Sequence, residues 1–149
     1  VYYLNGHATD LEEECTRYTS LLSQFPTDIV CLGIGENGHI AFNDPDVANF
    51  NDHKLVKIVK LDHVCRQQQV NEKCFETLEQ VPTEALTLTI PALLKAKWMF
   101  CIVPFKNKSQ AVYRTIHGDI SEKCPASILR RKEKSSLYLD TESAQLLNL

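Results

Sequence analysis

The 149-residue sequence has no apolar run of about 18 residues, the length a bilayer-spanning helix needs, so no membrane partner is expected. It also lacks an excess of one charge: 16 Lys and Arg against 19 Asp and Glu leave a net charge of -3, with the signs interspersed. Without a broad basic field to neutralise a phosphate backbone, a nucleic-acid partner is not expected, and a small-molecule partner fits better. CxxC pairs are missing as well, and the six cysteines are scattered. They read as buried free thiols rather than as a disulfide framework or a metal site. The first residues carry no basic-then-apolar leader, which makes a cytoplasmic location the expectation. There is no initiator methionine; the sequence opens on Val1-Tyr2-Tyr3-Leu4, a strand-like run without lead-in, and this suggests a piece of a longer chain. Repeats, low-complexity tracts and linkers are absent, and the 44% hydrophobic content is enough for the core of one domain over 1–149.

What is present alternates in period. Thr9 and Glu12 have the spacing of a capping box, and Leu11, Cys15, Tyr18, Leu21, Leu22 and Phe25 then recur at three and four, predicting a helix that Pro26 stops. Residues 28–32 form a near-continuous apolar run, the pattern of a strand buried on both faces, and lead directly into a glycine turn at 33–38. Strands are predicted over 54–61, 85–89, 98–103 and 136–140, and helices over 62–74, 92–96 and 107–117. Pro91 suits the first turn of one of these helices. Gly118 suits a positive-φ stop for another, and Thr141 a cap for a last helix through Leu147. Strands alternating with helices predict an α/β fold of Rossmann-like type, a mostly parallel sheet with helices on both faces.

In open sheets of this kind ligands bind beyond the carboxyl ends of strands, which is where the glycine turn falls. Gly33, Gly35 and Gly38 allow backbone amides to approach an oxygen-rich ligand closely. Asn37, His39, Asn43 and Asp44 add an imidazole, two amides and a carboxylate within eight positions. His39 is therefore the candidate general acid and base, and Asp44 its candidate orienting partner.

The run Leu32-Gly33-Ile34-Gly35-Glu36-Asn37-Gly38-His39-Ile40-Ala41-Phe42-Asn43-Asp44-Pro45 closely resembles the signature of glucosamine-6-phosphate deaminases, also called isomerases. The likeness extends through Leu4-Asn5-Gly6, Val81-Pro82-Thr83-Glu84-Ala85-Leu86-Thr87 and Pro125-Ala126-Ser127-Ile128-Leu129. The sister 6-phosphogluconolactonases typically continue their histidine with Thr-Ala-Ser, not with the Ile-Ala-Phe-Asn found here. The resemblance implies conversion of an amino-sugar phosphate to a ketose 6-phosphate and ammonia, with no metal and no organic cofactor. It implies that His39 opens the pyranose ring, that Asp44 replaces a supporting glutamate, and that Lys108 contacts the substrate phosphate.

The sequence also departs from the family pattern. Asn37 stands where an aspartate is usual, as in relatives assigned to galactosamine 6-phosphate. A phosphate-binding arginine of the family falls near Gln69, with Arg66 about one turn away as a substitute. The family's serine- and glycine-rich phosphate loop and the aspartate that removes the carbon-bound proton lie upstream of the matched region. The chain thus resembles the C-terminal half of the enzyme and alone is not expected to turn over. Lactone hydrolysis, or sugar-phosphate binding without chemistry, are the alternatives. The family also makes a homo-oligomer the expectation. An effector phosphate binds near the family's counterpart of Lys54, Lys57 and Lys60, which singles out Lys57 among what otherwise read as exposed strand lysines.

Overall fold

The computed structural model describes residues 1–148. Helix α1, Leu11–Gln24, begins after Asp10, whose side chain accepts from the Glu13 backbone N–H at 2.9 Å. Asp10, and not the expected Thr9, is the cap. A carboxylate directly before the first turn meets an orphan amide and the positive end of the helix together. Residues 1–4 form no strand. They run beside α1, where Arg17 donates to the Tyr3 carbonyl at 2.9 Å and the Tyr2 ring stacks on Phe25 at 5.6 Å. An extended run without a pairing neighbour makes no ladder, however strand-like its side chains.

Three strands, β1 (Ile29–Leu32), β4 (Trp98–Val103) and β5 (Ser135–Leu139), pair in parallel in the order β1-β4-β5. Ile29 lies opposite Trp98 and Met99 opposite Ser135, which sets the faces by the two-residue period. One face turns Met99, Cys101 and Val103 into a core shared with Ile40, Ile90 and Val112. Each such fully buried aliphatic side chain contributes about 1.5–3 kcal/mol. On the other face Ile29, Trp98, Ile102 and Tyr138 remain about half exposed, uncovered among the described residues. β1 was expected to be buried on both faces, but its alternation turns Ile29 and Cys31 outward. Cys31 and Cys74 are exposed, so only Cys15, Cys65, Cys101 and Cys124 are the buried thiols expected of all six.

The remaining strands, β2 (Val56–Lys60) and β3 (Glu84–Leu88), form a separate antiparallel pair with Lys60 opposite Glu84. Between them Asp62 caps α2, His63–Asn71, by accepting from Cys65 N–H at 2.6 Å. Lys57 is not a free cation: its Nζ donates to the Val47 carbonyl at 2.7 Å and to Asp52 at 2.8 Å, so the backbone and a carboxylate already occupy it. Helix α3, Ile90–Leu94, starts and ends two residues earlier than the expected 92–96, with Pro91 in its first turn as expected, and Thr89 Oγ1 accepts from Ala92 N–H. Helix α4, Ser109–His117, starts two residues later than expected because a 3₁₀ turn, Lys106–Lys108, comes first.

Gly118 ends α4 with φ -74° and not in the positive-φ region. A Cβ there would lie 2.6 Å from the Arg114 carbonyl oxygen, and that close approach is what favours glycine. The expected last helix is a series of turns. Asp140, and not Thr141, accepts from Ser143 N–H at 2.7 Å, so the capping bond forms one residue earlier than expected and the turns after it do not continue into a helix.

Candidate active site

A cavity of about 590 Å³ opens beyond the carboxyl ends of β1 and β4, a volume suited to one small ligand. Gly33 and Ile34 reach it from β1, Pro104 and Phe105 from β4, Thr87 from β3, and Gln68 from α2. Two of its lining residues, Ala41 and Phe105, have positive φ, at 49° and 79°. Such backbone persists only where surrounding bonds over-determine it. Asp140 supplies one, accepting from Phe105 N–H at 2.9 Å.

The glycine turn is a hydrogen-bonded loop. Gly35 N–H donates to the His39 carbonyl and Gly38 N–H to the Gly35 carbonyl, each at 2.9 Å. Gly38 has φ +92°, and a Cβ there would meet Cys124 Sγ at 2.8 Å, so both conformation and space require glycine. At Gly35 space alone decides. A Cβ would fall 2.1–2.4 Å from three atoms of the His39 ring, which lies directly over the Gly35 backbone. Gly35→Ala is therefore expected to displace the imidazole by an ångström or more and lower any His39-dependent rate by about 10²-fold. A histidine ring-proton spectrum of the variant, beside its rate, checks this.

His39 is 7% exposed and Asp44 1% exposed. The His39 Nδ1 lies 2.8 Å from Asp44 Oδ1 and 2.8 Å from Asn37 Oδ1, and the His39 backbone N–H also donates to Asn37 Oδ1, at 3.0 Å. Asn37 Nδ2 donates to Asp44 Oδ1 at 2.9 Å and to Asp62 Oδ2 at 3.1 Å. An aspartate at 37 would set three carboxylates against one another, whereas the amide donates to both. Burial opposes ionisation of Asp44, but the hydrogen bonds from His39 and Asn37 outweigh it and hold its carboxyl below the usual value. An anion at Nδ1 is what an imidazole needs to take up and return a proton at its other nitrogen.

Cys65 offers a sulfur near the same two groups, all within 4.8 Å of one another. Burial, then the charges of Asp44 and Asp62, push its thiol up to about 12.

Lys108 lines the cavity at only 6% exposure, and its Nζ lies 3.3 Å from Glu72 Oε1. Glu72 also accepts from Gln68 Nε2 at 2.8 Å, and Gln68 Oε1 accepts from the turn's Glu36 N–H at 3.2 Å. The two other residues singled out on α2 lie elsewhere. Arg66 donates to the Leu78 and Val81 carbonyls at 2.7 and 3.0 Å, fastening the following segment to the helix, and it does not line the cavity. Gln69 does not line it either, because it lies about 100° round the helix from Gln68. Gln68, Glu72 and Asp62 went unnoticed in the sequence. The available signal was buried Cys65, which marks the inward stripe shared by positions three and seven further on.

A family model described as glucosamine-6-phosphate isomerases/6-phosphogluconolactonase matches residues 1–138. The chain belongs to this family. A glucosamine-6-phosphate deaminase of Bacillus cytotoxicus is 41% identical over 145 residues, covering 97% of this chain and 53% of that protein. One from Listeria monocytogenes serotype 4a is 41% identical over 143 residues, covering 96% and 59%. A solved monomeric glucosamine-6-phosphate deaminase superposes with a TM-score of 0.90 at 38% identity, over 97% of this chain and 58% of that one. The 6-phosphogluconolactonase of Leishmania guyanensis, at 20% identity and a TM-score of 0.69 over 93% and 53%, shares the fold. The chain spans between half and three fifths of the length of the deaminases it matches. No described helix is long and apolar enough to cross a membrane.

Proposed function

We propose that this chain carries the ring-opening half of an amino-sugar-phosphate deaminase site that converts glucosamine 6-phosphate, or its galactosamine epimer, to ketose 6-phosphate and ammonia. The observation that carries the reading is the buried His39, bound at Nδ1 by Asp44 and Asn37, in the same cavity as the buried Lys108. His39 Nε2 takes a proton from the C1 hydroxyl and returns it to the ring oxygen as the C1–O5 bond breaks. Asp44 stabilises the imidazolium that exists between the two transfers. Lys108 binds the phosphate as a point charge, whereas the Gly35 and Gly38 amides expected to join it are already donated within the turn, to the His39 and Gly35 carbonyls.

Moving hydrogen between C2 and C1 requires a carboxylate base, which we assign to the part of the relatives' length that this chain does not span. The 149 residues alone are therefore expected to bind sugar phosphate without releasing ammonia. Association of the full-length protein into a homo-oligomer belongs to the same reading, and sedimentation tests it. The function itself is tested with the full-length gene product, given glucosamine 6-phosphate and, separately, 6-phosphogluconolactone. Ammonia from the first and no acid from the second supports the reading; the converse replaces it with a lactonase.

Phosphate must compete with Glu72 for Lys108. Glu72 is 44% exposed, so this ion pair is worth about 1 kcal/mol or less. Glu72→Gln is thus expected to lower KM for the sugar phosphate by up to about fivefold with kcat unchanged, which steady-state kinetics at low ionic strength will check.

A further inference from the structure

Asp62 follows β2 and caps α2, and nothing in its position in the sequence ties it to the glycine turn 25 residues earlier. Its two oxygens are nevertheless divided. Oδ1 accepts from Cys65 N–H at 2.6 Å, the ordinary work of a helix cap, while Oδ2 accepts from the Asn37 side-chain amide at 3.1 Å. We infer that Asp62 is a positioning residue for His39, acting through Asn37 to fix which ring nitrogen carries the proton. The inference rests on the deaminase reading only for its kinetic arm.

The chain of constraints is short. An ionised carboxylate can only accept, so Asp44 Oδ1 and Asp62 Oδ2 together require the nitrogen of the Asn37 amide on their side. Its oxygen must then point the other way, at the His39 backbone N–H and at Nδ1. Asn37 Oδ1 and Asp44 Oδ1, each 2.8 Å from Nδ1, can be met only by a protonated Nδ1, and the Asn37 oxygen is the one of the two whose placement depends on Asp62. The proton is thereby held at Nδ1, and Nε2 keeps its lone pair for the cavity. Asp44 alone satisfies only one hydrogen of the Asn37 amide; Asp62 takes the second, so that a turned-over amide loses two donated bonds and not one, besides those its oxygen accepts from His39. Asp62 thus couples the start of α2, which also carries Gln68 to the cavity wall, to the protonation geometry of the histidine.

Capping and positioning separate experimentally, because asparagine and serine are as good as aspartate at a helix N-cap. In Asp62→Asn the cap is kept through Oδ1, but an NH₂ replaces Oδ2 and faces the Asn37 NH₂. In Asp62→Ser the cap is kept and the second acceptor is gone. Both variants, in the full-length gene product labelled with ¹⁵N-histidine, are expected to keep the wild-type melting temperature within a few degrees. Their His39 ring ¹⁵N shifts, assigned by loss of the signal in His39→Gln, should move from a pure Nδ1–H pattern toward the averaged values of mixed tautomers. kcat for ammonia release should fall about tenfold in Asp62→Asn and less in Asp62→Ser, with KM within about twofold. Wild-type ring shifts and wild-type kcat in both variants would show Asp62 to be a helix cap only. An Nε2–H pattern in the wild type would overturn the inference outright. If the shifts move but the wild-type protein releases no ammonia, the positioning role stands and the deaminase reading fails.

Discussion

Replacing His39 with alanine in the full-length gene product is expected to lower kcat for ammonia release by about 10²–10⁴-fold, the range spanned by positioned general acid–base groups. KM should change little, because the ring is placed to move a proton and not to anchor the phosphate. The magnitude follows from what surrounds the ring. Nδ1 is 2.8 Å from an Asp44 carboxylate that is 1% exposed, and water cannot easily reproduce that arrangement. Ring opening also occurs slowly in water, so the loss should shrink for substrate supplied already in its open-chain form. Steady-state kinetics on closed and open forms checks both parts, and a rate within threefold of wild type would remove His39 from the mechanism.

The second large effect is expected at Lys108. A cation at 6% exposure that meets a phosphate dianion forms a charge-assisted, partly desolvated contact worth about 2 kcal/mol or more. Lys108→Ala should therefore raise KM for the sugar phosphate about 30-fold or more, while affinity for the unphosphorylated amino sugar stays as in wild type. Removing the lysine leaves Glu72 unpaired, but that carboxylate is 44% exposed and solvent takes it over, so the fold should hold. Titration calorimetry with both sugars reads the difference. An equal loss for both would mean that Lys108 supports the cavity and does not bind phosphate.

Much of the fold was legible because its signals are local and periodic. The apolar run of β4, the Pro91 in the first turn of α3 and the strand-to-glycine step after β1 are each written in a few adjacent residues. The run from Leu32 to Pro45 likewise keeps Asn37, His39 and Asp44 close in sequence, and a tight turn brings such neighbours into contact. Reading failed where the outcome depends on partners distant in the chain. Residues 1–4 have strand-like side chains but pair with no strand among the described residues. Cys31 sits in an apolar run, yet the sheet face it joins is uncovered among the described residues. On α2 the polar composition gives almost no inward face, so Arg66 and Gln69 were chosen by type and spacing, while the rotation of the helix presents Gln68 and Glu72. Asp62 was illegible because its reach to Asn37 depends on how β2 docks beside the turn, which no local pattern encodes.

The central claim is that the cavity beyond β1 and β4 serves amino-sugar-phosphate deamination. It is tested most directly by measuring ammonia and ketose 6-phosphate together from the full-length gene product, with glucosamine 6-phosphate and galactosamine 6-phosphate offered side by side. The account predicts both products in equal amounts from at least one of the two epimers, with the signal lost in His39→Ala. A folded protein that binds either sugar phosphate and releases neither product would contradict it.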